Sequence, residues 1–258
     1  KPLLERKSQS VSLQSYLNTA KGEAAVSSIE KEQSSVKKKM LSARSGGVEI
    51  EFTYRTVLNG FAVKAKDSEK ERLESIAGVK NVYVAQTHEY VEPTDGYTKA
   101  THTSGALMDS DRANEEGYTG NGTVTAVLDT GLDVNHSAFA NAPESPRYTL
   151  ADVEEAVAGG ELNAESEASA LYKSEKIPFA YDYADKDSDV SDSQGHGTHV
   201  SGSVGADCEE FTGVAPDTQI MMMKVFSDSE SGASDSWILA ALEDCVVLGV
   251  VCHNCVEQ

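Results

Sequence analysis

An α/β fold preceded by a smaller α+β domain is the architecture that the sequence predicts. Two apolar runs, GTVTAVLDTG (122–131) and QIMMMKVF (219–226), are typical of buried parallel strands. The segment SDSWILAALEDCVVLG (234–249) predicts a helix with an Asp/Ser-rich start. Before residue 92 the pattern changes to short, alternating helices and strands. A chain of 258 residues is long enough for one smaller and one larger domain.

The smaller domain is predicted from a helix, a hairpin, a second helix and a final strand. Asn-Gly is a preferred hairpin turn, and Asn59-Gly60 separates two alternating segments. The predicted elements are a helix at 22–44, strands at 48–57 and 60–66, a helix at 68–78 and a strand at 79–86. This order indicates a small ferredoxin-like α+β domain that lacks one strand at its start.

These patterns divide the chain into three parts. Residues 1–92 form the smaller domain, and the turn-rich residues 93–104 form a linker. Residues 105–258 form the α/β part, with a polar surface insertion that carries one helix at about 140–176.

The composition excludes several classes of partner. A formal net charge of −20 disfavours nucleic acids and anionic membrane surfaces, because their phosphates would be repelled. No apolar run reaches the ~18 residues of a membrane span, and no signal peptide follows the basic start. The cysteines are too few for a disulfide scaffold; they are Cys208, Cys245, Cys252 and Cys255. We therefore expect an apolar core to stabilise the fold.

Two residues are the strongest candidates for chemistry. Asp129 ends a buried strand, where open α/β sheets place their ligand crevices. His196 lies between Gly195 and Gly197, and a run of small residues after it predicts a closely packed helix. A histidine in the first turn of that helix can be oriented by a carboxylate.

A metal site is an alternative use of this histidine. His196 and His199 are three residues apart, whereas zinc helices usually present histidines at i and i+4 with a glutamate between them. Cys252 and Cys255 have C-x-x-C spacing but lack the second ligand pair that zinc needs. A metal-binding module that uses these four residues remains a rival interpretation.

An acidic segment, DYADKDSDVSD (182–192), raises the question of calcium. Asp185, Asp187 and Asp189 alternate like the opening of an EF-hand loop. Val190 stands where the glycine should be, and His196 stands where the glutamate should be. An EF-hand is therefore excluded, and we interpret the segment as a solvated acidic loop.

The chain carries a family resemblance at these residues. AVLDTGLDVNH (126–136) and GHGTHVSGSVGA (195–206) resemble the aspartate and histidine signatures of the subtilisin-like serine proteases, the subtilases. GVAPDTQIMMMKVF (213–226) is similar to the segment that follows them, and residues 48–92 resemble the inhibitory propeptide. The 67 positions from Asp129 to His196 resemble the long spacer of the lactocepin and C5a-peptidase branch.

The resemblance implies a fold, a reaction and partners. The fold is a subtilisin-like parallel sheet with flanking helices, incomplete in this chain. Asp129 is then the orienting carboxylate and His196 the general base of a serine endopeptidase. Protein or peptide substrates and the chain's own propeptide would occupy the cleft of a secreted or cell-wall-associated enzyme. No cofactor is certain, and the family implies calcium only for the full-length enzyme.

The nucleophile of that reaction is absent from the chain. No Gly-Thr-Ser occurs, and 62 residues follow His196, whereas the serine of subtilisin lies about 150 residues after the histidine. We therefore expect an inactive N-terminal fragment, with VCHNCVEQ (251–258) as a tail from a frameshift or truncation and residues also missing before Lys1. The alternative is a non-catalytic product whose propeptide inhibits or chaperones a protease in trans.

Overall fold

The protein was studied as a computed structural model, which describes residues 1–8, 12–42, 47–89 and 108–253. Contacts divide the chain into two units, Lys1–Gln86 with Leu242–Gly249 and Thr87–Ala241 with Val250–Gln258. The expected domain boundary at residue 92 and the linker at 93–104 lie outside the described residues, so both stay predictions.

The described residues among the first 86 form four helices and a hairpin. They are α1 (Leu3–Arg6), α2 (Leu13–Leu17), α3 (Ala20–Met40), β1 (Glu49–Tyr54), β2 (Gly60–Lys64) and α4 (Lys70–Glu74), with a 3-10 turn at Asp67–Glu69. Helix α3 begins where the Thr19 hydroxyl accepts a hydrogen bond from the backbone N–H of Gly22 at 3.0 Å. Three lysines in its last turn stabilise the helix, because their positive charges lie near the negative end of the helix dipole.

The hairpin forms as expected, but its turn is longer than Asn-Gly. Strands β1 and β2 pair antiparallel with Tyr54 opposite Gly60, so residues 55–59 make the connection. The backbone N–H groups of Thr56, Val57 and Leu58 all donate to the carboxylate of Glu243, within the same unit. A two-residue turn would not present three successive amides to one carboxylate, and the sequence prediction missed this partner.

The strand predicted at 79–86 is wrong. These residues have no strand assignment, and the first unit has only the β1–β2 sheet among its described residues. Val79 and Val82 pack against an apolar cluster, while Tyr83 and Val84 are 83% and 70% exposed. The buried members of this cluster are Met40, Val48, Leu73 and Ile76. Because the consecutive residues Tyr83 and Val84 are both exposed, the side chains do not alternate as a half-buried strand requires, and among the described residues the segment has no ladder partner.

The second unit contains the larger sheet and most of the core. Its described elements are β3 (Thr87–His88), α5 (Ser110–Glu115), β4 (Val124–Asp129), α6 (Leu150–Gly159), α7 (Ala168–Leu171), β5 (Phe179–Asp182), α8 (His196–Gly205), β6 (Gln219–Lys224), β7 (Ala233–Ser234), the start of α9 (Asp235–Leu248) and β8 (Val251–His253). Residues 242–248 of α9 group with the first unit.

A parallel sheet of four strands, in the order β5-β6-β4-β8, organises this unit. Every residue of β5 and β6 is buried, as expected for strands covered on both faces. Lys224 ends β6 and lies in register with both Asp129 of β4 and Asp182 of β5. The carboxyl ends of three strands therefore place charged residues at one edge of the sheet, and the α/β expectation is confirmed.

The insertion at 140–176 is only partly the polar surface that the sequence predicts. It carries two helices, α6 and α7, rather than one. Val153 and Leu171 are fully buried, and Lys176 is buried as well. The short strand β5, which follows the insertion, was not predicted because four residues are too few to show a clear strand pattern. In the described part of the chain, no helix combines the length and apolar character that crossing a membrane requires.

Candidate active site

Asp129 lies at the carboxyl end of β4, as predicted. Its side chain is almost completely buried, and its Oδ1 accepts a hydrogen bond from the backbone N–H of Thr130 at 2.7 Å. Gly131 follows with φ of 135°, a conformation that L side chains rarely adopt. The chain therefore leaves the sheet directly after Asp129 and holds the carboxylate at the edge of the strands.

His196 is the first residue of α8. Gly195 precedes it as the N-cap residue with φ of 78°, which again favours glycine. The His196 side chain is partly exposed, with 28% of its surface accessible. The sequence prediction that the histidine stands at the first turn of a helix is confirmed.

The two residues meet because two backbone segments approach closely. A Cβ atom on Gly197 would overlap the carbonyl oxygen of Gly131 and would lie 3.1 Å from the Cβ of Asp129. The backbone N–H of Gly197 donates to the Thr130 hydroxyl at 2.9 Å. Glycine at position 197 thus allows the start of α8 to contact the end of β4.

This packing brings the Nδ1 atom of His196 to 2.6 Å from Oδ1 of Asp129. An ionised carboxylate only accepts hydrogen bonds, so Nδ1 carries the hydrogen in this pair. In the neutral imidazole Nε2 is then the accepting nitrogen. The arrangement is the one in which a buried carboxylate orients a histidine base.

Sequence reasoning missed Asp192, which lies beside this pair. Its carboxylate accepts hydrogen bonds from Thr198, Thr130 and Gly195. Partial burial raises the pKa of Asp192, but the hydrogen bonds from Thr198, Thr130 and Gly195 outweigh it and leave the pKa below the usual value. The sequence signal for this residue is its position three residues before Gly195, the N-cap residue of α8, where a carboxylate can accept hydrogen bonds from the first backbone N–H groups of a helix.

The acidic segment is not wholly a solvated loop, as the sequence had suggested. Asp187 and Asp189 are exposed, but Asp182 is buried and its Oδ2 lies 2.9 Å from Nζ of Lys224. Lys224 is also buried and lies 2.7 Å from a carboxylate oxygen of Asp228. The pair was not foreseen, because its partners are far apart in sequence.

The geometry gives little support to the metal-binding interpretations. Among the described residues, the one group of side chains that could hold a metal ion is Asp182, Asp185 and Asp228. The ammonium group of Lys224 already contacts two of these three carboxylates. His199 is exposed on α8 and joins no such group with His196. Cys255, a ligand in the metal-module interpretation, lies outside the described residues.

The fold and the aspartate–histidine pair define the class of the protein. The model of the subtilase family matches residues 120–254, more than half of the chain, and the model of peptidase inhibitor I9 matches residues 11–90. The chain belongs to the subtilase family, with an I9-type propeptide domain before the subtilase domain. The resemblance inferred from the two signatures is therefore confirmed.

The chain is similar to several named bacterial proteases. The chain is 30% identical over 209 residues to the PI-type proteinase of Lactococcus lactis subsp. cremoris, a match that covers 76% of this chain and 10% of that protein. It is 25% identical over 241 residues to the minor extracellular protease Vpr of Bacillus subtilis, covering 88% of this chain and 26% of Vpr. Subtilisin E of the same species is 26% identical over 212 residues, or 81% of this chain and 44% of subtilisin E. The chain thus spans about a tenth of the lactococcal proteinases it matches.

Proposed function

We propose that this chain supplies the orienting carboxylate and the general base of a subtilisin-like serine endopeptidase. The observation that carries the proposal is the 2.6 Å contact between Nδ1 of His196 and Oδ1 of Asp129. Family membership supports it, because both residues stand within the matched subtilase segment, in the order Asp, His of subtilisin.

The proposed mechanism assigns one proton transfer to each step. Nε2 of His196 takes the hydroxyl proton of the serine as the serine oxygen attacks the peptide carbonyl. Asp129 remains ionised, keeps the hydrogen on Nδ1 and stabilises the imidazolium. The imidazolium then gives its Nε2 proton to the departing amine, leaving an acyl-enzyme that water hydrolyses by the reverse sequence.

The serine of this mechanism lies outside the 258 residues. The family's Gly-Thr-Ser turn does not occur in the sequence. We therefore propose that residues 1–258 alone do not hydrolyse peptides.

The inhibitory role of residues 1–92 is supported by one strand pairing. Thr87 and His88 form β3, which pairs antiparallel with β7 at Ala233 and Ser234. Addition of an extended segment to a strand edge is a common way to bind a peptide. We propose that this segment of the propeptide lies on an edge where an extended substrate would bind. Nε2 of His88 lies 2.7 Å from Oδ1 of Asp235, beside the pairing.

The substrates proposed for the enzyme are extracellular proteins and peptides. Relatives named as proteinases, and one named as an extracellular protease, support this assignment. We propose accordingly that the protein acts outside the cell, in secreted or wall-associated form.

The test uses the protein made from the complete reading frame that encodes residues 1–258. Hydrolysis of an internally quenched peptide is measured for that protein, for residues 1–258 alone, and for two variants of the complete protein. We expect activity in the complete protein and none in residues 1–258. Asp129→Asn should lower kcat by about 10⁴-fold, and His196→Ala by about 10⁶-fold.

A matched control is His199→Ala, since His199 is an exposed histidine on the same helix. We expect this variant to keep kcat within about twofold of the unsubstituted protein, because it changes no atom of the pair. Activity that survives His196→Ala, or no activity in the complete protein, would overturn the proposed function.

A further inference from the structure

Three backbone segments converge beside the Asp129–His196 pair. The end of β4, the loop at 190–195 and the first turn of α8 meet at Gly131 and Gly197. A Cβ atom on Gly131 would come within 2.6 Å of the carbonyl oxygen of Val190 and 3.0 Å of the Cα of Asp192. The loop therefore packs directly on the turn that follows Asp129, and Asp192 is the loop residue with a charged side chain at this junction.

The carboxylate of Asp192 connects all three segments. Its Oδ1 accepts from the Thr130 hydroxyl at 2.9 Å and from the backbone N–H groups of Gly195 at 2.9 Å and Gln194 at 3.2 Å. Its Oδ2 accepts from the backbone N–H and the hydroxyl of Thr198 at 2.8 and 2.7 Å. Every partner is a donor, which suits a group that only accepts, and the positive end of the helix dipole favours its charge.

Thr130 continues the connection to the catalytic pair. Its hydroxyl donates to Asp192 and accepts from the backbone N–H of Gly197. Its own backbone N–H donates to Oδ1 of Asp129, the same oxygen that meets Nδ1 of His196. An unbroken path of hydrogen bonds therefore runs from Asp192 through Thr130 to the atom that orients the histidine.

We propose that Asp192 is a positioning residue for the base assembly, which holds the first turn of α8 against the end of β4 so that Nδ1 of His196 faces Asp129. Asp192 acts through Thr130 and contacts no reacting atom. The inference rests on the proposed function, in which the Asp129–His196 pair is the base.

A simple helix cap would stabilise α8 without controlling the orientation of the imidazole. The two roles differ in what they do to the tautomer of His196. Positioning predicts that loss of Asp192 weakens the Nδ1–H···Oδ1 contact, so the neutral imidazole moves toward the Nε2–H form that an unconstrained histidine also adopts. A cap alone predicts lower stability with the tautomer unchanged.

The experiment records imidazole ¹⁵N shifts of the folded 258-residue chain at a pH where the ring is neutral, with His196→Gln to assign the signal. The variants are Asp192→Ala and Thr130→Val, and the control is Asp189→Ala. Asp189 is an exposed aspartate directly before this loop, and it accepts hydrogen bonds from Ser191. Far-UV circular dichroism confirms that each variant is folded.

We expect the unsubstituted chain and Asp189→Ala to hold mainly the Nδ1–H form of His196. Asp192→Ala and Thr130→Val should each lower the ratio of Nδ1–H to Nε2–H by about fivefold or more. An unchanged ratio in folded Asp192→Ala would overturn the inference. If Asp192→Ala does not fold, Thr130→Val, which removes one hydroxyl, decides in the same way.

These outcomes separate the inference from the proposed function. If the unsubstituted chain lacks the Nδ1–H form, the base assembly is absent and both ideas fail. If that form is present but insensitive to Asp192 and Thr130, only the positioning role fails.

Discussion

Replacement of Lys224 by methionine probes the buried charges at the edge of the parallel sheet. Lys224 has no exposed side-chain surface, and Asp182 has 1%. Burial lowers the pKa of Lys224, but its hydrogen bonds with Asp182 and Asp228 outweigh burial and raise it. Burial raises the pKa of Asp182, and Lys224 partly opposes this. Lys224→Met removes the ammonium and leaves the Asp182 carboxylate without its cation.

The expected decrease in the free energy of unfolding follows from this burial. Breaking a buried ion pair by removing one partner costs about 3–5 kcal/mol, a large part of the 5–15 kcal/mol that is typical of a folded domain. Oδ1 of Asp182 also accepts from the backbone N–H groups of Ala184 and Asp185 at 2.9 and 3.0 Å. Asp182→Asn can keep those two hydrogen bonds without the charge. The free energy of unfolding of the double variant Lys224→Met/Asp182→Asn should therefore fall by only about 1–2 kcal/mol.

Urea unfolding measured by the fluorescence of Trp237 tests these magnitudes, because this is the single tryptophan of the chain and it is nearly buried. Because the pKa of Asp182 is raised in the folded chain, ionisation of this carboxyl is less favourable in the folded state than in the unfolded state. The loss of unfolding free energy in Lys224→Met should therefore be largest near pH 7. It should shrink as the pH falls toward about 4, because a larger fraction of both the folded and the unfolded chains then has a neutral Asp182 carboxyl. Equal losses in the single and double variants at pH 7 would refute this reasoning.

Three further predictions concern other parts of the molecule. Burial lowers the pKa of Lys176 to about 8. The difference in unfolding free energy between the unsubstituted chain and Lys176→Met should therefore rise by about 3 kcal/mol from pH 8 to pH 10.5. A difference that does not change with pH in urea titrations would contradict this. Gly197→Ala should lower peptide hydrolysis by the complete protein about 100-fold, because the added methyl group separates α8 from β4; activity equal to that of the unsubstituted protein would argue against the close approach. Asp235→Ala should speed hydrogen exchange of the backbone amides in β3 by about 1.5- to 5-fold, because it removes the carboxylate that contacts Nε2 of His88. Unchanged exchange would show that this contact does not support β3.

The sheet and the candidate pair were readable from sequence because their signals are local. Strands β4 and β6 are continuous apolar runs, and a strand covered on both faces has this composition wherever it occurs. Asp129 and His196 stand in short stretches whose neighbours, chiefly glycines, are required by the turns and the close approach around them.

The features that sequence reasoning missed depend on distant partners. The backbone of the turn at 55–59 donates hydrogen bonds to Glu243, about 186 positions away, and no local sequence pattern predicts that partner. The buried Lys224–Asp182 pair likewise joins two strands that are adjacent only in the sheet. The strand expected at 79–86 is wrong because a short segment with several valines resembles a strand in sequence, whereas a strand also needs a ladder partner, and the described residues show none for it. The catalytic roles and the domain boundary at residue 92 remain predictions.

The most direct test of the central claim is the labelling of the complete protein by a fluorophosphonate, followed by mass spectrometry of the labelled peptide. The reagent reports on a serine that its base has activated. We expect the label on the serine of a Gly-Thr-Ser turn, at a rate that falls by about 10³-fold or more in Asp129→Asn and in His196→Ala. A label on another residue, or a rate unchanged by these substitutions, would contradict the assignment of Asp129 and His196 as the orienting carboxylate and the base.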